Sequence, residues 1–177
     1  FCLFNGFMQK LPEYGALAKT VCDRHFGVGG DGIMVALPSE KADVRMVYYN
    51  SDGSQGEMCG NGIRCFAKYV YTKGIVHKPV FTVETLAGIK HITLTVNKKD
   101  QVEKISVGMG KPAFPAEEVP TTLPGNPVTM EPVEVDNHIV LLTAMRMGVP
   151  HSVIVVDDLE KVDVNGIGSK LEVHPAF

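Results

Sequence analysis

The segment from Val44 to Tyr71 constrains this fold more tightly than any other part of the chain. Val44–Tyr49 is a β-branched and aromatic run that stops in a turn-forming stretch, Asn50-Ser51-Asp52-Gly53-Ser54. Cys59 follows, then Gly60-Asn61-Gly62, and Ile63–Tyr71 reads as helix. Strand, turn and helix start are thus compressed into one segment, with a cysteine where the helix begins. The first turn of a helix leaves backbone N–H groups without partners and carries the positive end of the macrodipole. A thiol held there is drawn toward its thiolate near neutral pH. Gly60 and Gly62 lack a Cβ, which lets a ligand approach the backbone. Together with Asn61 they offer N–H groups suited to a carboxylate. The competing reading is a buried structural cysteine beside a glycine turn; the crowding of Asn, Asp, Gly and Cys favours a site.

Within that helix Ile63, Phe66, Ala67 and Val70 form an apolar stripe, and Gly74 ends it as the C′ residue. Upstream, Phe1–Met8 is an apolar start with strand character. Pro12 opens a helical pattern whose Leu17, Ala18, Val21 and Cys22 share a face. Gly27-Val28-Gly29-Gly30-Asp31-Gly32 then breaks the chain, and Ile33–Leu37 resumes as an apolar strand. A dinucleotide fingerprint follows a strand and opens a helix, and a P-loop ends in Lys-Ser/Thr. Here the order is helix, glycines, strand, which argues against a nucleotide site.

Downstream, Val80–Thr85, Ile89–Val96 and Val102–Met109 read as strands joined by turns at Ala87-Gly88 and Lys98-Lys99-Asp100. Lys111–Pro132 is proline-rich and reads as an irregular connection. Ile139–Met145 and Val153–Val156 are strand-like, and Val164–Val173 is a short helical pattern. Many strands with few helices predict an α+β fold, with a mostly antiparallel sheet curled around the Cys59 helix.

A chain of 177 residues, 45% apolar, can bury one ordinary core or two small ones. Its net charge of −3 gives no basic surface for nucleic acid. No apolar run is long enough to cross a bilayer and no signal peptide is visible at the start. The four cysteines, Cys2, Cys22, Cys59 and Cys65, show no zinc-type spacing, so no metal is expected. Cys59 and Cys65 lie roughly 9 Å apart along a helix, beyond disulfide reach. Cys22 and Cys65 read as structural, on apolar faces. A reduced, cytoplasmic protein is the simplest reading.

Three motifs, DRHFGVGGDGI at Asp23–Ile33, YNSDGSQGEMCGNGIRC at Tyr49–Cys65 and MGVPHSVIVVDD at Met147–Asp158, occur in an order that closely resembles the diaminopimelate epimerases. The resemblance implies two similar lobes with the active site between them, each supplying one cysteine. On that comparison residues 1–103 are most of the first lobe, carrying the Cys59 site, and residues 104–177 are an incomplete beginning of the second. The implied reaction is cofactor-independent epimerisation of LL-diaminopimelate to the meso isomer by a two-cysteine, two-base mechanism, in lysine and peptidoglycan precursor synthesis. Cys59 matches the first catalytic cysteine. Asn50 is implied to hydrogen-bond substrate, Gly60 and Asn61 to bind its α-carboxylate, and His151 to tune the thiols. The residue-level alternatives are a turn-capping Asn50 and a structural His151.

The second CGxG-type cysteine motif does not occur here, so the chain is expected to be inactive alone. Val149 and Gly32 depart from the family pattern, at positions where members carry an Asn or a polar side chain. The expected partners are a small amino-acid substrate and, for the full-length protein, a second copy as homodimer, with no nucleic acid and no membrane. The alternatives are a related racemase for another amino acid, also independent of pyridoxal phosphate, and a non-catalytic ligand-binding module.

Overall fold

The computed structural model describes residues 1–8 and 10–177. The chain divides into two compact units, Phe1–Met109 and Gly110–Phe177.

The first unit is built on one sheet in the order β1 (Cys2–Asn5), β2 (Gly32–Leu37), β3 (Val44–Asn50), β5 (Val80–Thr85), β6 (Gly88–Val96) and β7 (Val102–Val107), with the short β4 (Gln55–Gly56) pairing β3. The sheet is mixed. β1 runs parallel to β2 and β3 parallel to β5, while the other four pairings are antiparallel. Each parallel pair is bridged by a helix, as parallel strands require a long crossover. Helix α1 (Tyr14–Cys22) connects β1 to β2, and α2 (Gly60–Thr72) lies between β3 and β5.

Alternation along β2 explains its unbroken apolar sequence. Met34 and Ala36 face a core with Ile63, Phe66, Ala67 and Val70 of α2, whereas Ile33 and Val35 face a second core with Ala18 and Cys22 of α1. β3 divides the same way, Met46 and Tyr48 to the α2 side, Val47 and Tyr49 to the α1 side. The central strands are therefore covered on both faces, where the sequence suggested a sheet curled around α2 alone. The α2 stripe is wholly buried, and full burial of such side chains is worth about 1.5–3 kcal/mol each before entropy is counted.

The glycine run after α1 is a helix terminus. The N–H groups of Val28 and Gly29 donate to the Val21 carbonyl, and that of Gly30 to Cys22. The donors that would cradle a phosphate are spent on the last carbonyls of α1. Asp23 Oδ1 accepts from the N–H groups of His25 and Phe26, both at 2.7 Å.

Asp43 pins β3 to β5. Its carboxylate meets Lys78 Nζ at 2.7 Å and accepts from the Thr82 N–H at 2.8 Å. The Lys78 ammonium, then the Thr82 N–H, hold its carboxyl below the usual range. A depressed folded pKa contributes stability that is present above the ordinary value near 4 and is lost as pH falls through the folded value. Asp43→Asn is expected to lower stability by at most about 1 kcal/mol at neutral pH, because the pair is partly exposed. Thermal melts of both proteins from pH 7 down to pH 2 should converge as the carboxylate protonates; a gap that persists at low pH would contradict this account.

The second unit holds a three-stranded antiparallel meander of β8 (Glu131–Val135), β9 (His138–Met147) and β10 (Val149–Ile154), with α3 (Val164–Leu171) after it. Ile167 and Leu171 of α3 pack on a core of Val119, Val128, Val133, Val135, Leu142 and Ala144. The β8–β9 turn is Asp136-Asn137, both with positive φ, at 50° and 61°, as a two-residue hairpin loop demands. The sequence pattern does not announce β8, whose Glu131 and Pro132 fall within the proline-rich stretch expected to be an irregular connection. Pro132 and the flanking glutamates disguise a strand whose Val133 and Val135 point inward. β10 also begins earlier than expected, at Val149, which places His151 on a strand.

Candidate functional site

Cys59 caps α2. It is extended (φ −135°, ψ 114°), and its Sγ accepts from the Gly62 N–H at 3.4 Å. Its carbonyl accepts the first helical bond, from Ile63, at 2.8 Å. Ahead of these two donors, the N–H groups of Gly60 and Asn61 meet no protein acceptor among the described residues. A half-buried sulfur and two unclaimed donors therefore share one helix start.

The two glycines serve different ends. A Cβ on Gly62 would overlap the terminal methyl of Met34 and lie 3.3 Å from Cys59 Sγ, so Met34 must move for any side chain to enter there. A Cβ on Gly60 would meet only Met109 Cε, at an ordinary 3.7 Å. The space over Gly60 is open, as a ligand's approach to the backbone requires. Arg64 steadies this turn from outside, with Nη1 donating to the Gly60 carbonyl at 3.0 Å and Nη2 to Asn61 Oδ1 at 2.6 Å. The sequence reading did not single out Arg64; its i+3 and i+4 spacing was the available signal.

Asn50 ends β3, half-buried, with its backbone in the turn: its N–H donates to the Ser54 carbonyl at 2.8 Å and its carbonyl accepts from Gly53 at 3.0 Å. Its side chain is also engaged, Oδ1 accepting from the Tyr48 hydroxyl and Nδ2 donating to Ser54 Oγ at 3.0 Å. An amide has two donors and two acceptor positions, so one N–H remains for a ligand. Tyr48 connects this turn to the helix start: burial pushes its phenol up, and the charge of Cys59 acts in the same direction.

Gly32 is buried and pairs with Asn50 across β2 and β3. A Cβ there would run into the Tyr49 backbone carbonyl and lie 2.8 Å from Tyr48 Cε2, so no polar side chain is accommodated at this position. His151 is exposed on β10 of the second unit, opposite Met145, and borders a cavity of about 390 Å³ with Pro150, Ser152, Leu171 and Phe177. Val149 is exposed at the start of the same strand.

All four cysteines are free. Cys22 is buried as expected, but Cys65 is exposed, which corrects its reading as a structural residue on an apolar face. Two residues past Ile63, about 200° around the helix, it falls opposite the stripe that meets the sheet. Burial pushes the Cys22 thiol up. Iodoacetamide at neutral pH is expected to spare Cys22 in the folded chain and to reach it only on unfolding. Peptide mapping over time checks this, and labelling of Cys22 as fast as Cys65 would contradict it.

Among the described residues no group of three or more His, Cys, Asp and Glu side chains is arranged to hold a metal, and no helix is long and apolar enough to cross a membrane.

Comparison with known proteins bears on the same stretch. Residues 1–115 match the family model of diaminopimelate epimerase. The chain is 48% identical over 174 residues to a diaminopimelate epimerase of Desulfitobacterium hafniense, covering 98% of this chain and 61% of that protein. It is 45% identical over 173 residues to one from Desulforapulum autotrophicum, with the same coverages of 98% and 61%. The chain thus spans about three fifths of the length of the curated relatives it matches.

Among solved structures it resembles a probable proline racemase from Agrobacterium radiobacter, with a TM-score of 0.61, 19% identity and coverage of 92% of this chain and 43% of that one. A phenazine biosynthesis protein of the PhzF family from Bacillus anthracis gives 0.58, 19%, 94% and 56%. These two likenesses concern the fold: a mixed, curled sheet with few helices. Sequence, motif order and fold agree, and the chain belongs to the diaminopimelate epimerase family.

Proposed function

We propose that this chain carries the first half-site of a longer enzyme that converts LL-diaminopimelate to its meso isomer without a cofactor. The observation that carries the reading is Cys59 at the N-terminus of α2, beside the unclaimed N–H groups of Gly60 and Asn61. Those donors suit the α-carboxylate and set the α-carbon against the sulfur. Removing the α-proton leaves a carbanion, and preorganised dipoles in a water-excluding cleft stabilise the charge that develops. The Cys59 thiolate takes the proton on one face, and Asn50 binds substrate through its remaining N–H.

Inversion requires a second acid on the opposite face, because return from the same side regenerates the starting isomer. That acid is a cysteine of the second lobe, at a second glycine-flanked helix start. Cys2, Cys22 and Cys65 lack that context, and this chain alone is inactive. Residues 1–103 belong to the first lobe together with the remainder of β7, which pairs with β6, and a second lobe of the same kind begins at Gly110. His151 tunes the thiols. The full-length protein is a cytoplasmic homodimer that supplies lysine and peptidoglycan precursors.

The test is to give the full-length protein LL-diaminopimelate, L-proline or L-glutamate without pyridoxal phosphate and to follow both isomers by chiral chromatography. Diaminopimelate is expected to be inverted at least about a hundredfold more efficiently than either other amino acid, as a site built for specific polar groups discriminates. Inversion of another amino acid in preference to diaminopimelate would overturn the substrate assignment.

A further inference from the structure

Gly56, outside the helix start, is explained by one side chain, whose ring also lies beside Gly32. Tyr48 lies on β3, 9% exposed, in the core it shares with α2. Its ring occupies the space that a side chain at Gly56 would need and borders the space at Gly32. A Cβ on Gly56 would lie 2.5 Å from both Cδ1 and Cε1, whereas one on Gly32 would meet the Tyr49 carbonyl first and then Cε2 at 2.8 Å. Gly56 is the direct partner of Tyr48 across β3 and β4. Phe1 closes the pocket edge-on, with ring centroids 6.0 Å apart. A ring enclosed in this way delivers its hydroxyl to a fixed point, and that point is Asn50 Oδ1. Alternation places residues 48 and 50 on the same face of the strand.

The rest of the network fixes its direction. Asp52 Oδ1 accepts from the Ser54 hydroxyl at 2.6 Å and from the Ser54 N–H at 2.8 Å. These donors hold the Asp52 carboxyl below the usual range. An ionised carboxylate only accepts, so the Ser54 hydroxyl spends its one proton there and receives Asn50 Nδ2 at 3.0 Å. The nitrogen of the Asn50 amide therefore faces Ser54 and its oxygen faces Tyr48, an orientation determined by the network.

We infer that Tyr48 is a positioning residue for the Asn50 amide, locking it so that its remaining N–H is presented to an acceptor on the substrate. This rests on the reading of Asn50 as a substrate-binding group. Tyr48 acts through Asn50 and touches no reacting atom.

The experiment is a double-mutant cycle of Tyr48→Phe and Asn50→Ala in the full-length protein, with KM, kcat and Tm measured for each variant. Side-chain amide NMR signals of Asn50 are recorded on the same proteins without substrate. Phenylalanine keeps the ring that fills the space beside Gly32 and Gly56, so Tm should hold. Tyr48→Phe is expected to raise KM for diaminopimelate about tenfold, the scale of one hydrogen bond, with kcat changed less than about threefold. In the Asn50→Ala background it should add less than about twofold, because residues acting through one group are not additive. The Asn50 amide signals should shift in Tyr48→Phe while those of Asn61 stay in place. An unchanged KM, a full tenfold effect without Asn50, or unmoved Asn50 signals would each overturn the proposal. A parent protein that inverts no diaminopimelate would sink the epimerase reading alone, and Tyr48 would then stand or fall on the NMR signals.

Discussion

Replacing Cys59 with serine in the full-length enzyme is expected to slow inversion of LL-diaminopimelate by about 10²–10⁴-fold, the range of a positioned acid or base, while the thermal midpoint holds or rises. The split follows from the two roles of one side chain. As the cap of α2, Cys59 accepts a single bond from the Gly62 N–H at 3.4 Å. Serine is among the preferred N-caps and makes that bond at least as well. As a base the hydroxyl fails, because no neighbouring group among the described residues is placed to activate it, and its own proton is far harder to remove than a thiol's. Steady-state kinetics and thermal melts of the two proteins check this. A serine variant retaining more than a tenth of the activity would remove Cys59 from the chemistry, and a collapsed midpoint would make its role structural.

The second large effect separates the two glycines of the helix start. Gly62→Ala forces a methyl group into the terminal methyl of Met34, which is fully buried beneath α2. Met34 is flexible, but its displacement passes into the core, and overpacking of this kind costs about 1–3 kcal/mol. Alanine recovers up to about 1 kcal/mol in helix propensity. The expected net loss is about 1–2 kcal/mol, or roughly 2–8 °C in Tm at about 2–4 °C per kcal/mol for a chain of this length. Gly60→Ala, which meets only Met109, should leave Tm unchanged or slightly raised and instead raise KM, because its methyl group narrows the approach to the N–H donors. Equal losses of stability at the two positions would contradict the division between a packing glycine and a ligand-facing one.

The local features of the site were largely legible in the sequence. Turn residues after β3, glycines behind a cysteine and an apolar stripe at helical spacing place the α2 start without reference to the rest of the chain. Gly74, predicted to end α2, has a φ of +64°. What escaped depends on packing between elements. Burial of β2 on both faces is signalled by its unbroken apolar run, but which helix covers each face follows only from where α1 and α2 dock. The parallel pairing of β1 with β2 and of β3 with β5 is a long-range choice, foreshadowed only by the helix lying between each pair. Cys65 does not lie on the apolar face expected of it, and counting 100° per residue from Ile63 places it outward. Tyr48 read as one more aromatic strand residue. Its role emerges from the two glycines around its ring and the amide at its hydroxyl, a juxtaposition that exists only once β2, β3 and β4 are paired.

The central claim is that Cys59 works on one face of the α-carbon and that a second acid from outside this chain completes the reaction on the other. Incubating the full-length protein and the 177-residue chain separately with LL-diaminopimelate in D₂O tests this most directly, with the α-deuterium of substrate and product read by NMR at low conversion. The account predicts that the full-length protein yields meso product deuterated at the inverted carbon while recovered substrate remains almost unlabelled, and that the chain alone yields no meso product. Meso product that retains its α-hydrogen, or inversion by the 177-residue chain alone, would contradict it.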